Sequence, residues 1–300
     1  MLCRFSLRPA LCLYNQSVAN FHISPAFANS KSNLAALRKK TGYSLSICKK
    51  ALSESENDLQ RAEGWLKEQA QAQGWAKAQK LQGRNTTQGL LGVLVQENSA
   101  AMVELNCETD FVARNKKFIS ILETLANTCA SLPVLDTSES LSRSTLSSTE
   151  VGLLKTEDDQ TIADLVALNI GQIGENMAFG DADVFHSKSG SGIKLVGLAH
   201  PQVAGSKEKI KFGRYTAVMA YTSTGEGTLP DGLTEEHLTL QLCQHIIGMA
   251  PTCIKDEEDK ENSLYHQVFL MDEDLKVGDL TAAAGINIIS FLRREVGRRG

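Results

Sequence analysis

Twelve residues, Glu104 to Asn115, read Glu-Leu-Asn-Cys-Glu-Thr-Asp-Phe-Val-Ala-Arg-Asn and carry the side chains best placed to act on another molecule. A polar turn able to cap a helix falls between a strand-like run and an amphipathic run, with Asp110 and Phe111 at the helix entrance. An acid and an aromatic exposed there can both be pushed into a partner's site. The pattern alone also allows a plainer reading, in which Phe111 is the first core residue of the helix and Asp110 simply favours its N-terminus. Motifs for covalent chemistry are missing. No G-x-x-x-x-G-K-[ST] phosphate cradle occurs, and Ser189-Gly190-Ser191-Gly192-Ile193-Lys194 has the wrong spacing for one. His200, His237, His245 and His266 form no H-E-x-x-H pair, and Glu235-Glu236-His237 reads as an acid cluster at a helix start. Neither G-x-S-x-G nor a catalytic-cysteine signature is present. No cofactor or metal is expected on this chain.

The elements that must hold the turn follow from periodicity. Leu90 to Gln96 and Ala101 to Asn106 read as two strands joined at Glu97-Asn98-Ser99, a hairpin. A helix from about Thr109 to Ala130 is expected next, with Phe111, Phe118, Leu122 and Leu125 along one stripe. Ser131 to Thr149 is Ser/Thr-rich and reads as a flexible excursion; Ile162 to Ile170 is helical and leads to Gly171-Gln172-Ile173-Gly174-Glu175-Asn176. Strands at Ile193–Ala199 and Tyr215–Thr222 and a helix at about Thr234–Met249 repeat the hairpin-then-helix order. Pro251 to Ser263 reads as a solvated acidic loop, Tyr265 to Met271 as a strand, and Ile286 to Phe291 as β-rich. The fold class is α+β, a core of two related hairpin-plus-helix subdomains.

Before the core, Asn33 to about Lys80 reads as three short helices. Gly42 is the expected left-handed stop of the first, Ser44 or Ser46 caps the second, and Asn57-Asp58 starts the third. Leu34, Leu37, Ile47, Ala51, Leu52, Leu59, Ala62, Trp65 and Leu66 form the shared apolar face, as in a ubiquitin-associated domain. Residues 82–88 contain no hydrophobe and read as a linker. The expected domains are therefore 1–30, 31–80, a linker at 81–88, 89–180 and 181–300.

The first thirty residues carry Arg4 and Arg8 and no acid; the first acidic residue is Glu54. That composition is the one expected of a mitochondrial transit peptide, and its apolar pieces are too short to span a membrane. Without the leader, Lys+Arg falls from 31 to 29 against 35 acids, and the formal charge moves from -4 to -6. A body this acidic argues against direct nucleic-acid binding. Five cysteines follow the leader, with no C-x-x-C pair, which fits small buried hydrophobes in a reducing compartment.

At Glu104–Asn115 the sequence resembles the elongation factor Ts family, and other pieces fall in that family's order. Leu34 to Trp65, with Arg-Lys-Lys-Thr-Gly-Tyr and Cys-Lys-Lys-Ala-Leu, resembles its N-terminal three-helix ubiquitin-associated-like domain. Ile173-Gly174-Glu175-Asn176 and Phe291-Leu292-Arg293-Arg294-Glu295-Val296-Gly297 match as well. The resemblance runs from about residue 33 to residue 300, and the leader points to a mitochondrial member acting in the matrix. It implies a guanine nucleotide exchange factor without covalent chemistry, which promotes GDP release from mitochondrial elongation factor Tu during translation elongation. Carried over, Thr109, Asp110, Phe111 and Val112 would meet the GTPase near its magnesium. Phe111 would enter a hydrophobic pocket and displace a helix, while Asp110 would disturb the hydrogen bonds and waters around the ion. His245 would be a secondary contact. The N-terminal domain would hold the nucleotide-binding domain of the GTPase and the core would grip the rest, in its GDP-bound and nucleotide-free forms. Bacterial members carry a coiled-coil insertion for self-association where this chain has only Pro251 to Ser263, so a one-to-one heterodimer is expected. A ubiquitin-binding adaptor would explain residues 33–80 but leave Asp110 and Phe111 idle.

Overall fold

The computed structural model describes residues 25–41, 43–133, 139–207, 209–229 and 233–298, with side chains from residue 33 onward. Its contacts divide the chain into two compact units, the division falling after Gln69. The first contains α1 (Pro25–Thr41), α2 (Leu45–Glu54) and the start of α3 (Leu59–Leu81). Ser44 caps α2 by accepting the N–H of Ile47, and Asp58 accepts the N–H of Arg61 at 2.9 Å as α3 begins. Leu37, Cys48, Ala51, Leu52, Ala62 and Leu66 form the core, with Leu34, Tyr43, Leu59 and Trp65 packed on it. Ile47 differs from expectation: it is exposed, and Cys48 takes the inward position. Gly42 lies outside the described residues. The first helix also starts earlier than expected, at Pro25, inside the span read as leader.

From Ala70 onward the chain forms four layers. A six-stranded sheet contains β1 (Gln88–Val95), β2 (Ser99–Cys107), β3 (Leu141–Leu146), β4 (Met177–Phe179), β5 (Ala182–Ser187) and β7 (Ile210–Gly213). Its order is β3-β5-β2-β1-β7, with β4 also paired to β2. The second sheet, β11-β8-β6, contains β6 (Lys194–His200), β8 (Tyr215–Ser223) and β11 (Ile286–Glu295). Pairing is antiparallel throughout, and the expected β1–β2 hairpin is present with Leu90 opposite Leu105. Strand alternation sorts side chains into separate cores. Leu90 and Leu94 of β1 face one side with Ala101, Val103 and Leu105 of β2, while Val93 packs on the other with Met102, Phe185, Ala199 and Val218. Both faces of β1 are therefore buried, which explains its unbroken apolar run. Gly197 of β6 lies under Val93 and Val95; a Cβ there would sit 2.8 Å from both.

Helices cover the outer faces. On the first sheet lie α4 (Asp110–Ala113), α5 (Lys116–Ala130), α6 (Ser148–Leu153) and α7 (Ile162–Ile173); α8 (Glu235–Met249) and α9 (Val277–Ala283) cover the second. A short hairpin of β9 (Val268–Phe269) and β10 (Asp272–Lys276) follows a 3-10 turn at Leu264–His266.

Several boundaries move. The subdomain division expected after residue 180 fails, because β5 pairs with β2 and β3, and β7 pairs with β1, placing residues 182–187 and 210–213 in the first sheet. The three-helix domain does not extend to residue 80 as a separate body. Gly74 lies against the backbone of Ala167 and beside Gly171, where only glycines allow helices so close, and Leu81 is buried in the first core. Ser131–Thr149 is not all excursion. Residues 134–138 lie outside the described residues, but β3 forms the sheet edge and Ser147 and Glu150 make a reciprocal capping box on α6. The strand expected at Tyr265–Met271 reduces to β9, and α9 was not expected at all.

One ion cluster joins the two sheets. Asp183 on β5, 1% exposed, accepts from Arg294 of β11 through Nη2 at 2.6 Å and Nε at 2.8 Å, from Thr145 at 2.7 Å and from Arg143 at 3.2 Å. Removing one partner of a buried pair strands the other charge, so Asp183→Ala should cost roughly 3–5 kcal/mol. Urea denaturation followed by circular dichroism measures the loss, and a change under 1 kcal/mol would show that the cluster does not bind the sheets together.

Candidate functional site

The segment Glu104–Asn115 is anchored at both ends. At its start, Glu104 accepts from the Asn106 side chain at 2.9 Å and from the Gly297 N–H at 2.8 Å, so the C-terminal strand clips the segment to the sheet. Cys107 closes β2; burial, aided by the negative charge of Glu175, pushes its thiol up to about 12. It stays protonated and donates to the carbonyl of Thr109 at 3.1 Å. Cys129 and Cys243 are also pushed up to about 12 by burial, so these thiols pack rather than react.

The expected continuous helix from Thr109 to Ala130 is two helices. α4 is a single turn, closed at Arg114, and Asn115 starts α5 by accepting the N–H of Lys117 at 2.9 Å. The asparagine competes for the backbone and breaks the run. The break rotates Phe111 away from the stripe of Phe118, Leu122 and Leu125: those three are fully buried, whereas Phe111 is 80% exposed.

The four sequence-predicted residues consequently divide. Phe111 projects into solvent. Asp110 is half-exposed and pairs with Arg114 at 3.2 Å, an exposed ion pair worth about 0–1 kcal/mol and easily released. Val112 points the other way, 7% exposed and packed in the first core, so it anchors the turn and offers a partner nothing. Thr109 is the N-cap, its Oγ1 accepting the N–H of Val112 at 3.4 Å.

Two pieces far apart in sequence meet here. Thr109 donates its N–H to Glu175 at 3.2 Å and its hydroxyl to the same carboxylate at 3.0 Å. In return Glu108 accepts the N–H of Asn176 at 2.6 Å, and the Asn176 side chain donates to the carbonyl of Arg84 at 3.0 Å. Arg84 also approaches Glu108 at 3.4 Å, so residues 82–88 are tied to the site rather than a free linker. Gly174, left-handed at φ 93°, ends α7 and turns Glu175 toward the cap. Ile173-Gly174-Glu175-Asn176 gives Glu175 no role as a sequence; the fold alone brings it to Thr109.

His245 is a correction. It is fully buried in α8, with Nε2 3.0 Å from the Gln267 side-chain oxygen, while Nδ1 accepts the N–H of Leu270 at 3.1 Å. Its amphipathic position turned it inward, so it shapes the β9–β10 hairpin from beneath. Above it Met249, Val268, Leu270 and Met271 are exposed. No group of three or more His, Cys, Asp or Glu among the described residues is placed to hold a metal ion, and no described helix is long and apolar enough to cross a membrane.

The family model for the mitochondrial elongation factor Ts N-terminal region matches residues 18–76, and that for elongation factor Ts matches residues 108–260. Mitochondrial elongation factor Ts of Drosophila melanogaster is 43% identical over 279 residues, covering 89% of this chain and 85% of that protein. The Aedes aegypti protein of the same name is 39% identical, covering 90% of this chain and 89% of its own length. The chain belongs to the elongation factor Ts family. As a mitochondrial elongation factor Ts it is a nucleotide exchange factor for elongation factor Tu in translation elongation. In Xenopus laevis the similarly named protein is 38% identical over 299 residues, covering 94% of this chain and 92% of its own.

The histidine in this elongation factor Ts fold carries a pH dependence. Burial lowers its pKa from 6.5, against a smaller opposing effect of the Gln267 hydrogen bond. The folded state thus binds its proton less readily than the unfolded chain, so the stability contribution is complete above about pH 6.5 and is lost as pH falls through the lower folded value. Unfolding free energy between pH 7 and 5 should fall more steeply in the native protein than in His245→Asn, by at most about 1.4 kcal/mol per pH unit. Equal slopes in urea titrations would remove His245 as the source.

Proposed function

We propose that this elongation factor Ts loosens GDP by pressing Phe111 and Asp110 against the magnesium and nucleotide site of elongation factor Tu, with no covalent step. The observation that carries the reading is a large aromatic held 80% exposed on a capped, clamped turn. An isolated surface phenylalanine needs no explanation, but here the neighbouring Val112 is buried and Thr109 is fixed, so the ring is presented in one direction. Asp110 stands beside it, held only by an exposed arginine that a cation-bearing site could displace. Exposed Leu45 and Ile47 on the three-helix unit, and Met249, Val268, Leu270 and Met271 on the C-terminal sheet's side, offer further apolar contact to a GTPase gripped by several surfaces.

Exchange then follows from linkage. If the factor weakens GDP binding, GDP weakens factor binding by the same factor, and the ternary complex resolves in either direction. A thousandfold faster release needs about 4 kcal/mol at about 1.36 kcal/mol per decade. Burying one aromatic contributes about 1.5–3 kcal/mol, so Phe111 must act together with Asp110 and the remaining contacts. The complex is one-to-one with GDP-bound or nucleotide-free GTPase; residues 251–263 form a short, mostly exposed loop, too little for a coiled coil that pairs two copies. The acid-free, arginine-bearing start of the chain, ahead of α1 at Pro25, acts as the mitochondrial leader and takes no part in exchange.

Loss of the ring should slow GDP release at saturating factor by roughly tenfold to a hundredfold, the equivalent of about 1.5–3 kcal/mol. Stopped-flow release of fluorescent GDP from mitochondrial elongation factor Tu, comparing the native protein with Phe111→Ala, measures it. An unchanged rate would remove Phe111 from the mechanism.

A further inference from the structure

We infer that Glu175 is a positioning residue for exchange: its carboxylate fixes the direction in which Phe111 and Asp110 are presented. This rests on the reading of Phe111 given above and assigns the residue that makes that ring effective. Four residues cannot sustain a helix alone, because a first turn fixes several dihedrals for a single hydrogen bond. Phe111, at 80% exposure, has almost no packing to orient it. Val112 and Ala113 anchor one side of the turn in the core; the other hold is the entrance, where Thr109 must hold the Val112 N–H through an oxygen whose own hydrogen needs an acceptor. Glu175 supplies that acceptor and takes the Thr109 N–H as well, 66 residues away in sequence.

Carboxylate geometry matters here. Hydrogen bonds to an ionised acceptor are shorter and roughly twice as strong as neutral ones, and two oxygens serve two donors on one residue without competition. Glutamine in that place keeps one carbonyl oxygen, and alanine keeps none. The other strut, from Glu108 to Asn176, is retained in either variant and holds the loop in the fold. Alanine at 175 therefore leaves the β2 end and α7 joined while freeing the cap. Glu175 itself, half-buried behind Thr109, acts through the turn and not on the nucleotide.

The experiment compares the full-length protein with Glu175→Ala, Glu175→Gln, Phe111→Ala and the double variant Phe111→Ala/Glu175→Ala. It reads GDP release from mitochondrial elongation factor Tu across factor concentration, together with thermal unfolding of each factor. Expected is a saturated release rate about tenfold lower in Glu175→Ala, the half-saturating concentration within about twofold of native, and Glu175→Gln between the two; a tenfold change corresponds to about 1.36 kcal/mol. On the Phe111→Ala background the Glu175→Ala change should slow release clearly less than it does in the native protein, the remainder passing through Asp110. A native rate in Glu175→Ala alongside a slowed Phe111→Ala overturns the inference and leaves the exchange reading standing. Additive losses overturn it as well, as does a rate that falls only in proportion to unfolded protein. A native rate in Phe111→Ala overturns the exchange reading and this inference with it.

Discussion

A single helical turn with an exposed phenylalanine in its first positions does not hold its shape in water unless something outside the turn fixes its entrance. Here that something is a crossed pair of carboxylate bonds, Glu175 to Thr109 and Glu108 to Asn176, joining the end of β2 to the end of α7. Much of the six-stranded sheet and the helices on it serves the crossing. The β1–β2 hairpin brings Glu108 to the end of central strand β2, and α7 delivers Glu175 after a left-handed glycine. Gly74 and Gly171 let α3 press close to α7, and Lys77 donates to the carbonyl of Gly171 at 3.2 Å. Val112 sinks into the core, so the turn is held by burial on one side and charge-assisted hydrogen bonds on the other.

The four-layer core explains why so rigid a presentation is available. Two sheets packed face to face bury both sides of β1, and the Asp183–Arg294 pair adds a polar tie between them. The turn just past β11 performs a second task, since the Gly297 N–H donates to Glu104 at the beginning of the candidate segment. Three of the short pieces that carry the sequence resemblance are thus one assembly in space: the Thr109 turn, the Glu175 loop and the Arg294–Gly297 tail. The energy comes from differential contact, so orientation of a few side chains counts for more than their number.

Local features were readable in the residues. Hairpin strands and the helical runs at Ile162–Ile170 and about Thr234–Met249 follow from periodicity, and the structure adds Thr161 and Thr234 as their caps. Non-local features were not. Nothing in the alternation of Ala182–Ser187 says which sheet it joins, and a boundary after residue 180 was the natural but mistaken choice. A Ser/Thr-rich composition hid β3, because an edge strand buries too little to need apolar residues. At the candidate site, the place of Asp110 and Phe111 at a helix entrance is legible, whereas the helix break at Asn115 is masked by a continuous apolar stripe on both sides. His245 entered as a contact only through the family resemblance, and the sequence does not show that Gln267 and the Leu270 N–H satisfy it in the interior.

The central claim is that Phe111 meets the GTPase where nucleotide and magnesium are held. Photocrosslinking tests it most directly, with p-benzoylphenylalanine placed at residue 111 of the full chain, the complex with mitochondrial elongation factor Tu irradiated, and the joined peptides mapped by mass spectrometry. Crosslinks confined to the nucleotide-binding domain beside the magnesium site, and reduced by excess GDP with magnesium, are the expected result. Crosslinks to a different domain, or none in a complex that still forms, would contradict it.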